Sequence, residues 1–150
     1  MRWVIQRVKA AKVSVNNQIV GEIEEGLMVL CGIEERDTQE DVDWLIQKTI
    51  QMRIFSDEAG KMNRSVIEVE GGMLLISQFT LHAQTAKGNR PSFIRAAGAE
   101  KAKSLYDYTL LQMGTRFNGK IGAGVFGADM IISCELDGPV TILVDSKNRE

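Results

Sequence analysis

At 150 residues, with 44% hydrophobic and 25% charged residues, the chain has the size and make-up of one soluble globular domain with its own core. A formal net charge of −2 excludes a globally basic nucleic-acid binder, so any such contact must come from a local basic cluster. No stretch reaches the ~20 apolar residues of a membrane span, residues 1–7 lack the apolar run of a secretory signal, and a cytoplasmic protein is expected.

Residues 3–9 read as a strand, and Val13 and Val15 then alternate with Lys12 and Ser14. Asn16-Asn17 marks a turn, residues 19–23 return, and residues 27–31 form a buried apolar run. Asp37 or Thr38 caps a helix whose Val42, Leu45, Ile46 and Ile50 share one face. A short strand over 53–55 precedes the turn-like 56–60. Gly71-Gly72 opens a central strand, Met73-Leu74-Leu75-Ile76, that ends at Ser77. A polar loop over 84–91 leads to a second helix with Ala102, Leu105, Tyr106, Thr109, Leu110, Met113 and Phe117 on one stripe. A glycine-rich stretch over 119–127 precedes two final strands joined at Asp137-Gly138. No repeat or linker interrupts the order. The expected fold class is α/β: mixed β-sheets forming a barrel- or sandwich-like core, two main helices packed against it, one domain over residues 1–150.

The chemistry is first defined by what is missing. His82 is the only histidine, and it is expected at the surface or a loop edge, so a Ser-His-Asp apparatus has no good source of base. No Gly-x-Ser-x-Gly elbow occurs, and residues 119–127 lack the Lys-Ser/Thr ending of a phosphate loop. Cys31 and Cys134 both lie in apolar runs and are expected as buried free thiols without zinc or redox spacing. No metal and no cofactor are expected.

Two polar hinges at strand edges remain. At Ser77-Gln78-Phe79-Thr80, backbone N–H groups leave the ladder and can point at a ligand, as donors that stabilise an acyl-transfer oxyanion do. Thr80 adds a hydroxyl and Phe79 an aromatic wall. Plain capping hydroxyls at a strand end fit the same residues. At Gly138-Pro139-Val140-Thr141 a hairpin turn is one reading, and a rigid, side-chain-free steric gauge is the other.

Ser77-Gln78-Phe79-Thr80-Leu81 and Gly138-Pro139-Val140-Thr141 together resemble the signature pair of the D-aminoacyl-tRNA deacylases. Ile5-Gln6-Arg7-Val8, residues 53–57 with 60–63, Arg90-Pro91-Ser92-Phe93, Leu105-Tyr106-Asp107-Tyr108 and residues 126–130 are similar to further blocks of that family, in order along the chain. One departure is Leu136, where the family often has Asn.

The resemblance implies hydrolysis of the ester between a D-amino acid and the terminal ribose of tRNA, with glycyl-tRNA mischarged on tRNA(Ala) also accepted. It implies a reaction assisted by the tRNA 2′-OH, with backbone N–H groups near Gln78 and Phe79 holding the ester carbonyl. Ser77, Gln78, Phe79 and Thr80 form the catalytic set, and Phe126 and Met130 line the pocket. A cis Gly138-Pro139 bond, buttressed by Arg7, reaches into the neighbouring subunit of a homodimer and rejects L-amino acids. Phosphates of tRNA fall to Lys87, Arg90 and Arg95, with Lys101 and Lys103 beside them, although a solvated basic face reads the same way. A non-catalytic RNA-end binding module and an esterase for small acyl substrates are the alternatives. Neither predicts hydrolysis that depends on the tRNA 2′-OH.

Overall fold

The computed structural model describes residues 1–149. Among these the elements run β1 (Arg2–Val15), β2 (Gln18–Ile23), β3 (Gly26–Gly32), α1 (Gln39–Gln51), β4 (Phe55–Ser56), β5 (Met62–Arg64), β6 (Gly72–Ser77), a 3-10 turn (Phe79–His82), α2 (Ala99–Arg116), β7 (Ile121–Ala123) and β8 (Ile131–Asp145). The strands expected over 3–9 and around Val13 are one strand. It pairs antiparallel with β2, β3 and β8. Asn16 and Asn17 take positive φ angles of 50° and 64°, which suits the tight β1–β2 hairpin.

The main sheet runs β2-β1-β3-β6-β7, with β3, β6 and β7 parallel. It curls until its outer strands meet. A Cβ placed on Gly21 of β2 would lie 2.5 Å from the Ala123 carbonyl oxygen of β7, so only glycine admits this approach. The result is a nearly closed, barrel-like mixed sheet, as the sequence predicts. β4 and β5 form a separate small hairpin.

The central strands are buried on both faces, and their pleat divides two clusters. Leu27, Val29, Met73 and Leu75 face the helices, where Val42, Leu45, Ile46, Tyr106 and Met113 pack on them. Met28, Leu74 and Ile76 face the barrel interior with Val8, Val13 and Ile23. A continuous apolar run such as Met73-Leu74-Leu75-Ile76 is what such a strand needs. The α1 face is the expected one, and Asp41 anchors its start by accepting from the Thr38 N–H at 2.8 Å. Tyr106 of α2 donates to the Leu75 carbonyl at 2.9 Å, tying helix to sheet.

Two sequence expectations need correction here. The last two strands are one, because β8 runs through Gly138 and Pro139 as an edge strand along β1, with register shifts around Val8 in place of a hairpin turn. Proline is tolerated there because it lies on an edge. Cys134 is exposed on this strand rather than buried, since residues 133–136 of this edge strand are all exposed. Cys31 in β3 is buried as expected.

Candidate functional site

Parallel strands carry ligands at their carboxyl ends, and here three such ends converge. β3 ends at Gly32, β6 at Ser77 and β7 at Ala123. Around them lies a cavity of about 470 Å³. It is lined by Cys31, Ile33 and Ile76, by Ser77, Gln78 and Phe79, by Phe126, Met130 and Ile132, and by Ala96, Ala97 and Ala102. Five sequence-predicted residues, Ser77, Gln78, Phe79, Phe126 and Met130, therefore share one cavity. Asp129 is the charged side chain in its described lining. The Phe126 ring rests 5.7 Å from that of Tyr106, which fixes it against α2.

The 3-10 turn sits down on the end of β3 because Gly32 has no side chain. A Cβ there would lie 2.9 Å from Leu81 Cβ and 3.0 Å from the Gln78 carbonyl oxygen. Arg2 holds the turn from the other side, donating to the Leu81 carbonyl at 2.8 Å while pairing with Asp145.

The donors differ in one respect from expectation. The Gln78 N–H is committed to the Cys31 carbonyl at 2.8 Å, extending the β3–β6 ladder by one residue. It is not available to a ligand. The Phe79 and Thr80 N–H groups open the turn and have no partner among the described residues, as first-turn donors do not. Thr80 is half-buried, and its hydroxyl oxygen accepts from Gln78 Nε2 at 2.5 Å.

His82 is buried, at 3% exposure, and the surface placement expected from the sequence is wrong. The 3-10 turn folds it against Gly32. Neither ring nitrogen has a well-formed hydrogen bond. Burial pushes its pKa below 6.5, helped by the Arg2 charge and opposed by the Gly32 backbone and Glu34. Burial also pushes the Cys31 thiol up to about 12, so it offers no thiolate to the cavity. Among the described residues no group of three or more His, Cys, Asp or Glu is placed to hold a metal ion.

The chain's own Gly138, Pro139 and Arg7 lie outside this cavity. The Gly138-Pro139 peptide is cis, as the resemblance implies, and both residues are exposed. Arg7 is buried, donates to the Ile54 carbonyl, and pairs through Nε with Asp137 at 2.8 Å. Its buttress thus runs through the Asp137 carboxylate rather than the Gly138 backbone. Of the basic residues, Arg95 pairs with Glu34 at 2.9 Å, Lys101 bonds the Glu35 carbonyl, and Lys103 pairs with Asp107 at 2.5 Å. Lys87 and Arg90 have no such partner among the described residues.

The sequence model of the D-Tyr-tRNA(Tyr) deacylase family matches residues 4–145. The chain belongs to this family. Among its relatives is a D-aminoacyl-tRNA deacylase of Akkermansia muciniphila, 55% identical over 150 residues and covering 100% of both chains. Its counterpart in Flavobacterium johnsoniae is 53% identical, also over 100% of both chains. A solved structure of a c-Myc DNA unwinding element binding protein is 38% identical, with a TM-score of 0.89 over 97% of this chain and 98% of that one. A structure of a probable eukaryotic D-amino acid tRNA deacylase, 20% identical, shares the fold with a TM-score of 0.79 over 95% of this chain and 97% of that one.

Sequence reasoning missed Gly32, Arg2 and Asp129. A glycine ending an apolar strand was the available signal for the first, and Asp129 lay within a family-like block without an assigned role. Arg2 gave no signal, because its partners Leu81 and Asp145 are far away in sequence.

Proposed function

We propose that this chain hydrolyses the ester joining a D-amino acid to the terminal ribose of tRNA. The observation that carries the reading is the match to deacylase relatives at about half identity along the whole chain. The cavity is compatible with it. About 470 Å³ suits one aminoacylated nucleoside, and its lining is mainly apolar with few polar groups, as ligand sites are.

In the proposed reaction the ester carbonyl oxygen lies at the Phe79 and Thr80 N–H groups. Water adds to the carbonyl carbon, and those donors take up the charge that develops on oxygen. The bond to the ribose oxygen then breaks, and that oxygen takes a proton. The neighbouring 2′-OH of the tRNA positions or activates the water, because His82 is buried and unsuited to act as base. The Thr80 hydroxyl, held by Gln78, faces the same step. Ser77 shapes the wall, Phe126 and Met130 line the pocket, and Asp129 is the carboxylate available to the α-ammonium. Lys87 and Arg90 remain free for phosphate, whereas Arg95, Lys101 and Lys103 are engaged within the chain.

Chirality is set by exclusion in this reading. Gly138 and Pro139 are exposed on an edge strand, outside their own chain's cavity, which suits action in the cavity of a second copy. Backbone close to the α-carbon leaves room for hydrogen but not for a side chain, so L-residues clash while D-residues and glycine enter. Glycyl-tRNA mischarged on tRNA(Ala) is then also a substrate. The test is deacylation of matched D- and L-aminoacyl-tRNA by the purified protein. Turnover of the D-ester alone is expected. Turnover of neither overturns the enzyme reading, and equal turnover of both overturns the chiral one.

A further inference from the structure

Phe79 is 57% exposed although it stands on the cavity rim, and Ile94, on the loop that faces it, is 83% exposed. The Phe93 ring meets the Phe79 ring edge-on, with centroids 5.1 Å apart and planes at 75°. This geometry fixes Phe79 while leaving a face of the pair to solvent. The loop that carries Phe93 is pinned. Gln84 and Ser92 exchange backbone bonds of 2.8 and 2.9 Å at its neck, and the Ala97 N–H donates to the Ile33 carbonyl at 3.0 Å. Between Gln84 and Ser92 the loop bears Lys87 and Arg90, both exposed and without an ion pair or hydrogen bond among the described residues.

Exposed aromatic faces next to free cations are the equipment with which proteins hold single-stranded nucleic acid. Each base stacks on a ring, and each phosphate meets a charge. The position also matters. The cavity has room for one aminoacylated nucleoside, so the rest of the substrate must leave across the rim where Phe79 stands. We propose that Phe79 and Phe93 form a stacking platform for the unpaired nucleotide that precedes the esterified terminal residue, with Lys87 and Arg90 at its phosphate. This rests on the reading of the cavity as a site for aminoacyl-RNA esters. The platform recognises a base face rather than a base edge, so it accepts any base there. The ester then gains from the strand attached to it, and free aminoacyl esters are poorer substrates.

The test compares two synthetic esters, D-tyrosyl adenosine and the D-tyrosyl ester of the trinucleotide CCA, as a ratio of kcat/KM. Wild-type protein is expected to prefer the trinucleotide ester by about 10-fold or more, the scale of one stacked base. Phe79→Leu and Phe93→Leu are expected to bring the ratio close to one, and Phe79→Tyr to restore it. A general catalytic defect lowers both esters together and leaves the ratio alone, so a ratio unchanged in both leucine variants overturns the platform. Equal use of the two esters by wild type also overturns it, with the deacylase reading intact. Hydrolysis of neither ester, nor of D-tyrosyl-tRNA, overturns the reading beneath it.

Discussion

The Gln78 side-chain amide donates to the Thr80 hydroxyl oxygen across 2.5 Å, two residues along the chain; Gln78 lines the cavity, and Thr80 lies just beyond its lining. An amide that donates to this oxygen leaves the Thr80 O–H to point elsewhere. If that proton serves the reacting ester or its water, losing it should act on the chemical step. Thr80→Val is expected to lower kcat by about 10-fold or more, with KM little changed and Thr80→Ser close to wild type. Gln78→Ala should give a smaller loss in the same direction, because it frees the hydroxyl without removing it. Single-turnover deacylation measures both. A Thr80→Val enzyme within about 3-fold of wild type would leave the hydroxyl without a chemical role.

Gly32 makes a second, purely steric prediction. A methyl group at this position meets Leu81 Cβ, the Gln78 carbonyl and His82 within 3.2 Å, so the 3-10 turn must rise. The N–H groups of Phe79 and Thr80 rise with it, and oriented donors lose their effect over fractions of an ångström. Gly32→Ala is expected to cost more activity than stability, with kcat down about 100-fold and the thermal midpoint lowered by only a few degrees. Calorimetry beside the deacylation assay separates the two.

His82 links the site to pH. Its folded pKa lies below the ordinary 6.5, because burial disfavours the charged ring. Below pH 6.5 the unfolded chain therefore takes up a proton that the folded chain refuses. The stability contribution is complete above 6.5, is lost as pH falls toward the folded pKa, and stays level below it. Asp41 acts in a separate and lower window. Burial alone would raise its pKa, but hydrogen bonds from Lys147, Ser146 and Thr38 outweigh that and hold it at about 2, so its contribution fades between 3.8 and 2. Urea melts across pH should show two steps, and His82→Gln should remove the upper one. The same variant is expected to keep most of its activity, and EDTA to leave activity intact. A loss beyond ~100-fold, or ~2.7 kcal/mol of barrier, would return the histidine to the mechanism.

Asp37 holds the α-ammonium of Met1, and both groups are fully buried. The ammonium also donates to Ser146 Oγ at 2.9 Å, and Asp37 accepts from the Glu34 N–H at 2.7 Å. Removing one partner strands a buried charge. Asp37→Asn is expected to cost about 3–5 kcal/mol of folding stability, readable as a lower urea midpoint at an unchanged m-value. A cost under about 1 kcal/mol would mean that water reaches the ammonium.

The fold was legible where periodicity carried it. The α1 face, the β6 run and the Asn16-Asn17 turn came from local pattern, because each buries a regular set of side chains. A barrel-like core was expected as a class, but the contact that closes it was not legible, since it rests on Gly21 meeting Ala123 far away in sequence. β8 was misread because Gly-Pro normally breaks a strand, and only its edge position lets the strand continue. Cys134 and His82 were misplaced for one reason. Burial of a single residue depends on what folds over it, and no neighbour in sequence reports that. Ser77, Gln78 and Phe79, which line the cavity, belong to a segment that the motif singled out. That the Gln78 N–H is already taken by Cys31 is a fact of sheet register, which composition does not carry.

Gly138 has φ of +115°, and a Cβ there would meet Arg7 Nη2 at 3.0 Å and Val140 Cγ2 at 2.9 Å. Gly138→Ala is thus strained twice over, and it should displace this part of β8 from the Arg7–Asp137 pair. If this segment excludes L-residues from a second copy's cavity, the variant should hydrolyse L-aminoacyl-tRNA while keeping much of its activity on the D-ester. Arg7→Lys should do the same more weakly, because lysine keeps the charge but not the fork that spans Ile54 and Asp137. The arrangement also needs two chains. β8 is an edge strand with Leu136 and Leu143 at 49% and 61% exposure, a surface that a second copy can cover. Wild type is expected to sediment as a dimer, and a Leu136→Asp, Leu143→Asp double variant as a monomer that has lost the distinction between D and L. A monomeric variant that still rejects L-esters would place the selection within one chain. A dimeric Gly138→Ala protein that still rejects them would place it on residues other than Gly138.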